Sequence, residues 1–202
     1  PLITDILLEK GDRVTQVIYP KDAAQIIINA GIGPGSKVAE AGVGSGFMTA
    51  VLAYYVRPDG KVYGYDKRED SIRTARRNLE MLGLNEWVEL RLRDVSTEGF
   101  LERGVDAVIL DMGDPWNALS RATEALRTDG VLVVYVPTVN QVIRVIAAMN
   151  EAGYVNVRML DVTVREWKTE PNEVRPQTWI NAHTGFLIIG RRTIGPAAQP
   201  TK

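Results

Sequence analysis

The sequence has no cysteine and a single histidine, His183, among its 202 residues. Without thiols the chain can form neither a disulfide nor a thiolate metal site, and a reducing, cytoplasmic setting becomes the default. One imidazole also excludes a multi-histidine centre, so no metal is expected. Long apolar runs are missing too. The stretch Val131–Pro137 falls far short of the ~20 residues that cross a bilayer, and the first residues lack the basic-then-apolar layout of a signal peptide. No membrane partner is expected. Nor is there an excess of positive charge: 24 Lys and Arg face 25 Asp and Glu, a net charge of −1, whereas nucleic-acid-binding domains usually carry a basic surplus. The basic residues do cluster, with Lys67, Arg68, Arg73, Arg76 and Arg77 on one expected helix and Arg91 and Arg93 on the next strand. Because Glu69, Asp70 and Glu80 are interspersed, a solvated helix face accounts for them.

What is present is a composition of 45% hydrophobic and 24% charged residues, enough for one well-buried domain. From Gly31 onward short apolar strands alternate with helices. The expected strands are Lys37–Glu40, Lys61–Tyr65, Val88–Leu92, Ala107–Leu110, Val131–Val136, Val155–Val164 and Phe186–Gly190. The expected helices are Ala23–Ala30, with Asp22 as N-cap and Gly31 as stop, then Phe47–Val56, Ser71–Met81, Asn117–Leu126 and Val139–Ala152. Such alternation predicts an α/β fold with a mostly parallel sheet covered on both faces. The last two strands have no helix of comparable length between them, which predicts an antiparallel pair joined by an irregular loop, 167–182. Residues 1–17 read as the end of a β-hairpin, and 195–202 as a disordered tail.

The chemistry concentrates at the run Val38–Gly46, an apolar strand ending in Gly42, Gly44 and Gly46. Glycines there let a backbone turn sharply and a ligand approach the N-terminus of the following helix. Phe47 stands where a dinucleotide fingerprint would place its third glycine, so the motif favours a ligand without a pyrophosphate. In a doubly wound sheet ligands lie over the carboxyl ends of the strands. Glu40, Asp66, Asp94 and Asp111 all fall at such ends. Asp66, about 20 residues beyond the glycines, is placed to accept from both hydroxyls of a ribose. Asp94, followed by Val95, can accept from an exocyclic amine beside an apolar wall. Asp111 opens Asp-x-x-Asp-Pro-Trp, in which Pro115 stops the strand and Trp116 offers an aromatic face to a base.

Together these features resemble the class I S-adenosylmethionine-dependent methyltransferases, a Rossmann-like fold. More narrowly, Ile18-Tyr19-Pro20-Lys21-Asp22, Glu40-x-Gly42-x-Gly44-Ser45-Gly46, Leu110-Asp111-Met112-x-x-Pro115-Trp116, Tyr135-Val136-Pro137-x-x-x-Gln141-Val142, Arg165-Glu166-Trp167, Arg175-Pro176 and His183-Thr184-Gly185-Phe186 are similar to the tRNA adenine-N1 methyltransferases, which modify a T-loop adenine. The resemblance implies a methyltransferase domain over 18–194, a remnant of a small N-terminal β domain over 1–17, and a homotetramer whose subunits pool basic patches to hold tRNA. It implies S-adenosylmethionine against Gln16, Glu40, Gly42, Gly44, Ser45, Gly46, Asp66, Lys67, Asp94, Val95 and Asp111, and catalysis by Asp111 with Tyr19 stacking on the base. Trp116, Arg165, Arg175 and His183 are then expected on the substrate side, although His183 serves equally as a structural residue and Arg165 or Arg175 as a partner of Glu166 or Glu170.

Three other readings fit the same residues. Asp114-Pro115-Trp116 echoes the Asp-Pro-Pro-aromatic motif of exocyclic-amine methyltransferases. The fold also serves as a non-catalytic RNA-binding subunit, and it admits small-molecule or protein substrates.

Overall fold

The structure, a computed structural model, describes residues 17–193. Gln16, nearly all of the expected hairpin and the 195–202 tail lie outside the described residues. The elements are α1 (Pro20–Ala30), β1 (Lys37–Ala41), α2 (Phe47–Val56), β2 (Lys61–Asp66), α3 (Glu69–Met81), β3 (Val88–Leu92), α4 (Val95–Glu98), β4 (Val105–Leu110), α5 (Leu119–Ala125), β5 (Leu126–Val136), α6 (Val139–Glu151), β6 (Val155–Asp161) and β7 (Phe186–Arg191). One seven-stranded sheet has the order β3-β2-β1-β4-β5-β7-β6. All neighbours through β5 are parallel, and β7 runs antiparallel between β5 and β6.

The central strands carry no apolar–polar alternation because both of their faces are covered. Ala107 to Leu110 on β4 are all buried, as expected of a parallel sheet between two helical layers. On one face Ile26 of α1 and Leu52 and Val56 of α2 pack with Ile109, Val133 and Leu187. On the other, Ala122 of α5 and Val145 and Met149 of α6 pack with Val108, Leu132 and Ile188. Consecutive residues of one strand therefore point into different cores. The strand order reverses at β1 and β4, which leaves a crevice at their carboxyl ends.

Several boundaries depart from the sequence expectation. Helix α1 is capped by Tyr19 and starts at Pro20, whose missing N–H costs nothing in a first turn. Asp22 is not the N-cap. It is fully buried, and it accepts from Lys21 Nζ at 3.0 Å and from Thr184 Oγ1 at 2.7 Å. The expected helix 117–126 is a 3₁₀ turn, Pro115–Ala118, followed by the shorter α5. Strand β6 stops at Asp161 rather than Val164, and β5 starts at Leu126.

Candidate active site

At the crevice the turn from β1 into α2 is pressed against β4. Asp111 N donates to Ala41 O at 2.9 Å, and Gly42 N donates to Tyr65 O at 2.9 Å. Gly42 has φ +91°, and a Cβ on it would stand 1.7 Å from the Asp111 carbonyl oxygen. Gly46, with φ +82°, would place a Cβ 2.9 Å from that of Ala75 on α3. At both positions a side chain would strike the protein itself, at Asp111 for Gly42 and at Ala75 for Gly46, and Gly42 also borders the cleft. Gly44 instead donates its N–H to Asp66 Oδ2 at 3.0 Å, while Arg68 N donates to Oδ1 at 2.9 Å. Asp66 is held by these two amides, and the Arg68 Nε lies a further 3.5 Å from its Oδ1.

The crevice is a cleft of about 510 Å³ whose lining includes Gly42, Asp66, Lys67, Asp94, Val95 and Asp111. Behind it a space of about 20 Å³ is bounded by Ile18, Glu40, Gly42, Gly44, Ser45 and Asp111. The sequence-derived cofactor residues among 17–193 therefore converge, except Gly46, which packs against α3. Asp94 has two roles, since its Oδ1 caps α4 by accepting from Ser96 N at 3.0 Å and its other oxygen remains for a ligand. Arg93, Ser96 and Asn117 also line the cleft without any sequence signal of doing so. Arg93 follows the end of β3, and the positions of Ser96 and Asn117 follow from α4 and the 3₁₀ turn, neither of which has a periodic signature in so few residues.

The site accumulates negative charge out of water. Burial pushes the Glu40 carboxyl up to about 8; the neighbouring Thr49 hydroxyl opposes this, and the charges of Asp111 and Asp66 add to it. Asp111 rises to about 7, through burial first and Asp66 second. Glu40 Oε2 is buried without a hydrogen-bond partner among the described residues. Two buried carboxyl groups, Glu40 and Asp111, that hold their protons above the usual carboxylate range would be relieved by a cation. A stability measurement checks this electrostatic cost. Between the unfolded value of 4.5 and about 8, the folded protein holds a proton on Glu40 that the unfolded chain releases, so stability falls as pH rises. Glu40→Gln is accordingly expected to raise Tm by roughly 4 °C or more at about pH 8, and by little at about pH 4. Thermal melts of both proteins across this range test it.

The substrate-side residues are dispersed. Tyr19 and Arg165 share a separate cleft of about 270 Å³. His183 Nε2 lies 2.9 Å from the Pro137 carbonyl, and its ring packs at 4.4 Å on Phe186. Arg175 is engaged by Glu173 at 2.7 Å, not by Glu166 or Glu170. Trp116 lies outside both clefts, half-buried against the core with Arg144 over its ring. Tyr135 opens one of the family-like motifs, although the sequence assigns it no role; its hydroxyl is driven to about 12, mainly by burial, with Thr184 opposing and Asp22 and Asp111 adding. That environment places it between the α1 start and the crevice. Among the described residues no cluster of acidic or histidine side chains is arranged to hold a metal ion, and no helix is long and apolar enough to cross a membrane.

A sheet of this order with its last strand inserted antiparallel, and a glycine turn facing strand-end carboxylates, defines a class I methyltransferase fold. Solved structures agree: a Thermotoga maritima protein described as an S-adenosylmethionine-dependent O-methyltransferase superposes with TM-score 0.93 at 35% identity, over 98% of this chain and 74% of that one. The tRNA (m1A58) methyltransferase TrmI of Aquifex aeolicus superposes with TM-score 0.90 at 29% identity, over 96% and 77%. The chain belongs to the family described as the tRNA methyltransferase complex GCD14 subunit, whose model matches residues 7–184. Among curated relatives, the tRNA (adenine(57)-N(1)/adenine(58)-N(1))-methyltransferase TrmI of Methanocaldococcus jannaschii is 33% identical, over 95% of this chain and 76% of its own. The tRNA (adenine(58)-N(1))-methyltransferase TrmI of Thermus thermophilus is 34% identical, over 95% and 75%.

Proposed function

We propose that this protein transfers a methyl group from S-adenosylmethionine to N1 of adenine 58 in the T-loop of tRNA, the reaction named for its Thermus relative. The observation that carries the reading is the place of Asp111, which borders both the large cleft and the small space behind the glycine turn. The cofactor fits on physical grounds. Its nucleoside matches a cleft with Asp66 and Asp94 at strand ends, its lack of phosphate suits an acidic site, and its positive charge answers the elevated Glu40 and Asp111 carboxyls. When bound it supplies an activated methyl group on a sulfonium.

The chain's own residues then have defined work. Adenine N1 carries an in-plane lone pair, so no base need act before attack; what is required is alignment, and compensation of the charge that builds on the ring. Asp111, as carboxylate, accepts from the N6 amine, which orients the base and offsets that charge, and it can take the N6 proton afterwards. Its value of about 7 suits a group that must be ionised to accept yet able to hold a proton. Tyr19 stacks on the base, which must leave the T-loop stack to expose its pairing edge. Arg165, Arg175 and His183 belong to the tRNA side, and the enzyme works in the cytoplasm as a homotetramer. In this assembly neighbouring subunits combine basic surfaces that one chain of net charge −1 does not supply alone.

Incubating the protein with unmodified tRNA and S-adenosylmethionine, then digesting to nucleosides for mass spectrometry, is expected to give N1-methyladenosine. A product methylated at N6 would favour the exocyclic-amine reading that Asp114, on the same cleft, permits. One methylated on a ribose oxygen would follow the description of the Thermotoga structure. Either would displace the proposal.

A further inference from the structure

The second cleft, about 270 Å³, has an unusual wall for a surface with no assigned ligand. Trp179 is 92% exposed and faces a concavity shared with Tyr19, Arg165 and Asn181. Arg165 has no ionic partner among the described residues, unlike Arg175, which Glu173 holds. An indole left in water with an uncommitted guanidinium beside it is a poor arrangement for solubility and a good one for stacking on a nucleobase.

The cleft is also built rather than accidental. Lys21 Nζ donates to Val162 O at 2.6 Å and to Thr184 Oγ1 at 2.7 Å. Both ends of the 162–184 segment that carries Trp179 are thereby tied to the start of α1. The neighbouring residues make the link to the crevice: Val17 and Ile18 border the small space beside Asp111, and Tyr19 borders this cleft.

We infer that this cleft binds one unpaired nucleotide next to the target adenine, its base stacked on Trp179 and its phosphate on Arg165, with Asn181 available to a base edge. Glu166 on the same rim repels a run of phosphates, so the fit is to a single extruded nucleotide and not to a duplex backbone. The inference rests on the tRNA reading above, since the neighbouring nucleotide is presented only when the target is.

The test uses the full chain, unmodified tRNA and a T-arm stem-loop RNA as probes. Trp179→Ala is expected to raise KM for tRNA, and Kd for the stem-loop, by about tenfold, the usual loss for one stacked base. Trp179→Phe should recover most of it, Arg165→Gln should add a salt-dependent loss, and the Kd for S-adenosylmethionine should stay at the wild-type value. Since Trp179 buries almost nothing, misfolding is not an escape. If RNA binding by the Trp179→Ala protein equals wild type, the cleft is not a nucleotide site. Should sedimentation show instead that Trp179→Ala lowers the oligomeric mass while RNA affinity per subunit holds, the cleft receives a second copy of the chain and the proposal is wrong. Wild-type protein that neither binds nor methylates tRNA would sink the underlying reading itself, a result distinct from both.

Discussion

Asp111→Ala is expected to lower turnover on tRNA by about 10²-fold or more, the usual cost of removing a group that stabilises charge in the transition state. S-adenosylmethionine should still bind, within about tenfold of wild type, because Asp66, Asp94 and the glycine turn keep their hydrogen bonds. Single-turnover rates with saturating cofactor, alongside calorimetry, separate the two quantities. The pH dependence gives a second check. With the Asp111 value raised to about 7, the carboxylate needed to accept from N6 is lost as pH falls through that value. Wild-type turnover should therefore decline below about pH 7, and Asp111→Asn should be slow with that limb flattened. Equal turnover in the Ala variant would remove Asp111 from the reaction.

Gly42→Ala should be the most damaging single-methyl change in the chain. The φ of +91° costs an L side chain about 1–2 kcal/mol. The added Cβ would also stand 1.7 Å from the Asp111 carbonyl oxygen, which forces the β1 and β4 ends apart at a further cost of about 1–3 kcal/mol. A fall in Tm of roughly 10 °C follows for a chain of this length. Binding of S-adenosylmethionine should fail with it, because the amides of Gly42 and Gly44 and the main chain of Asp111 move together. Gly83→Ala supplies the control. It has φ +65° with nothing within 4 Å of its Cβ, so strain acts alone and the loss should stay near about 1 kcal/mol. Comparable melting temperatures for the two variants would show that the β1–β4 contact is not tight.

What is legible in the sequence divides from what is not by the range of the interaction. Gly42, Asp66 and Asp111 can be read because each sits where an apolar strand stops, and strand ends are marked by local composition. Trp116 carries the same local signal, that of a base platform, yet its ring lies against the core beneath Arg144. A tryptophan after a proline looks the same in sequence whichever way the 3₁₀ turn rolls. Asp22 looks like a helix cap for the same reason. Its real partner, Thr184, is 162 residues away, and no local pattern reports that contact.

From the sequence alone follow the alternation of strands and helices, the antiparallel final pair, and the carboxylates at successive strand ends, because periodicity and glycine placement act within a few residues. The order of the motifs also points to the family to which the chain belongs. Tertiary structure alone decided that a side chain at Gly42 or Gly46 would strike the protein itself, that Asp94 caps a short helix, and that Glu40 and Asp111 hold their protons near neutrality. It alone brought the segment carrying Trp179 back over the start of α1. Desolvation and contacts across more than a hundred residues exist only once the chain has closed on itself.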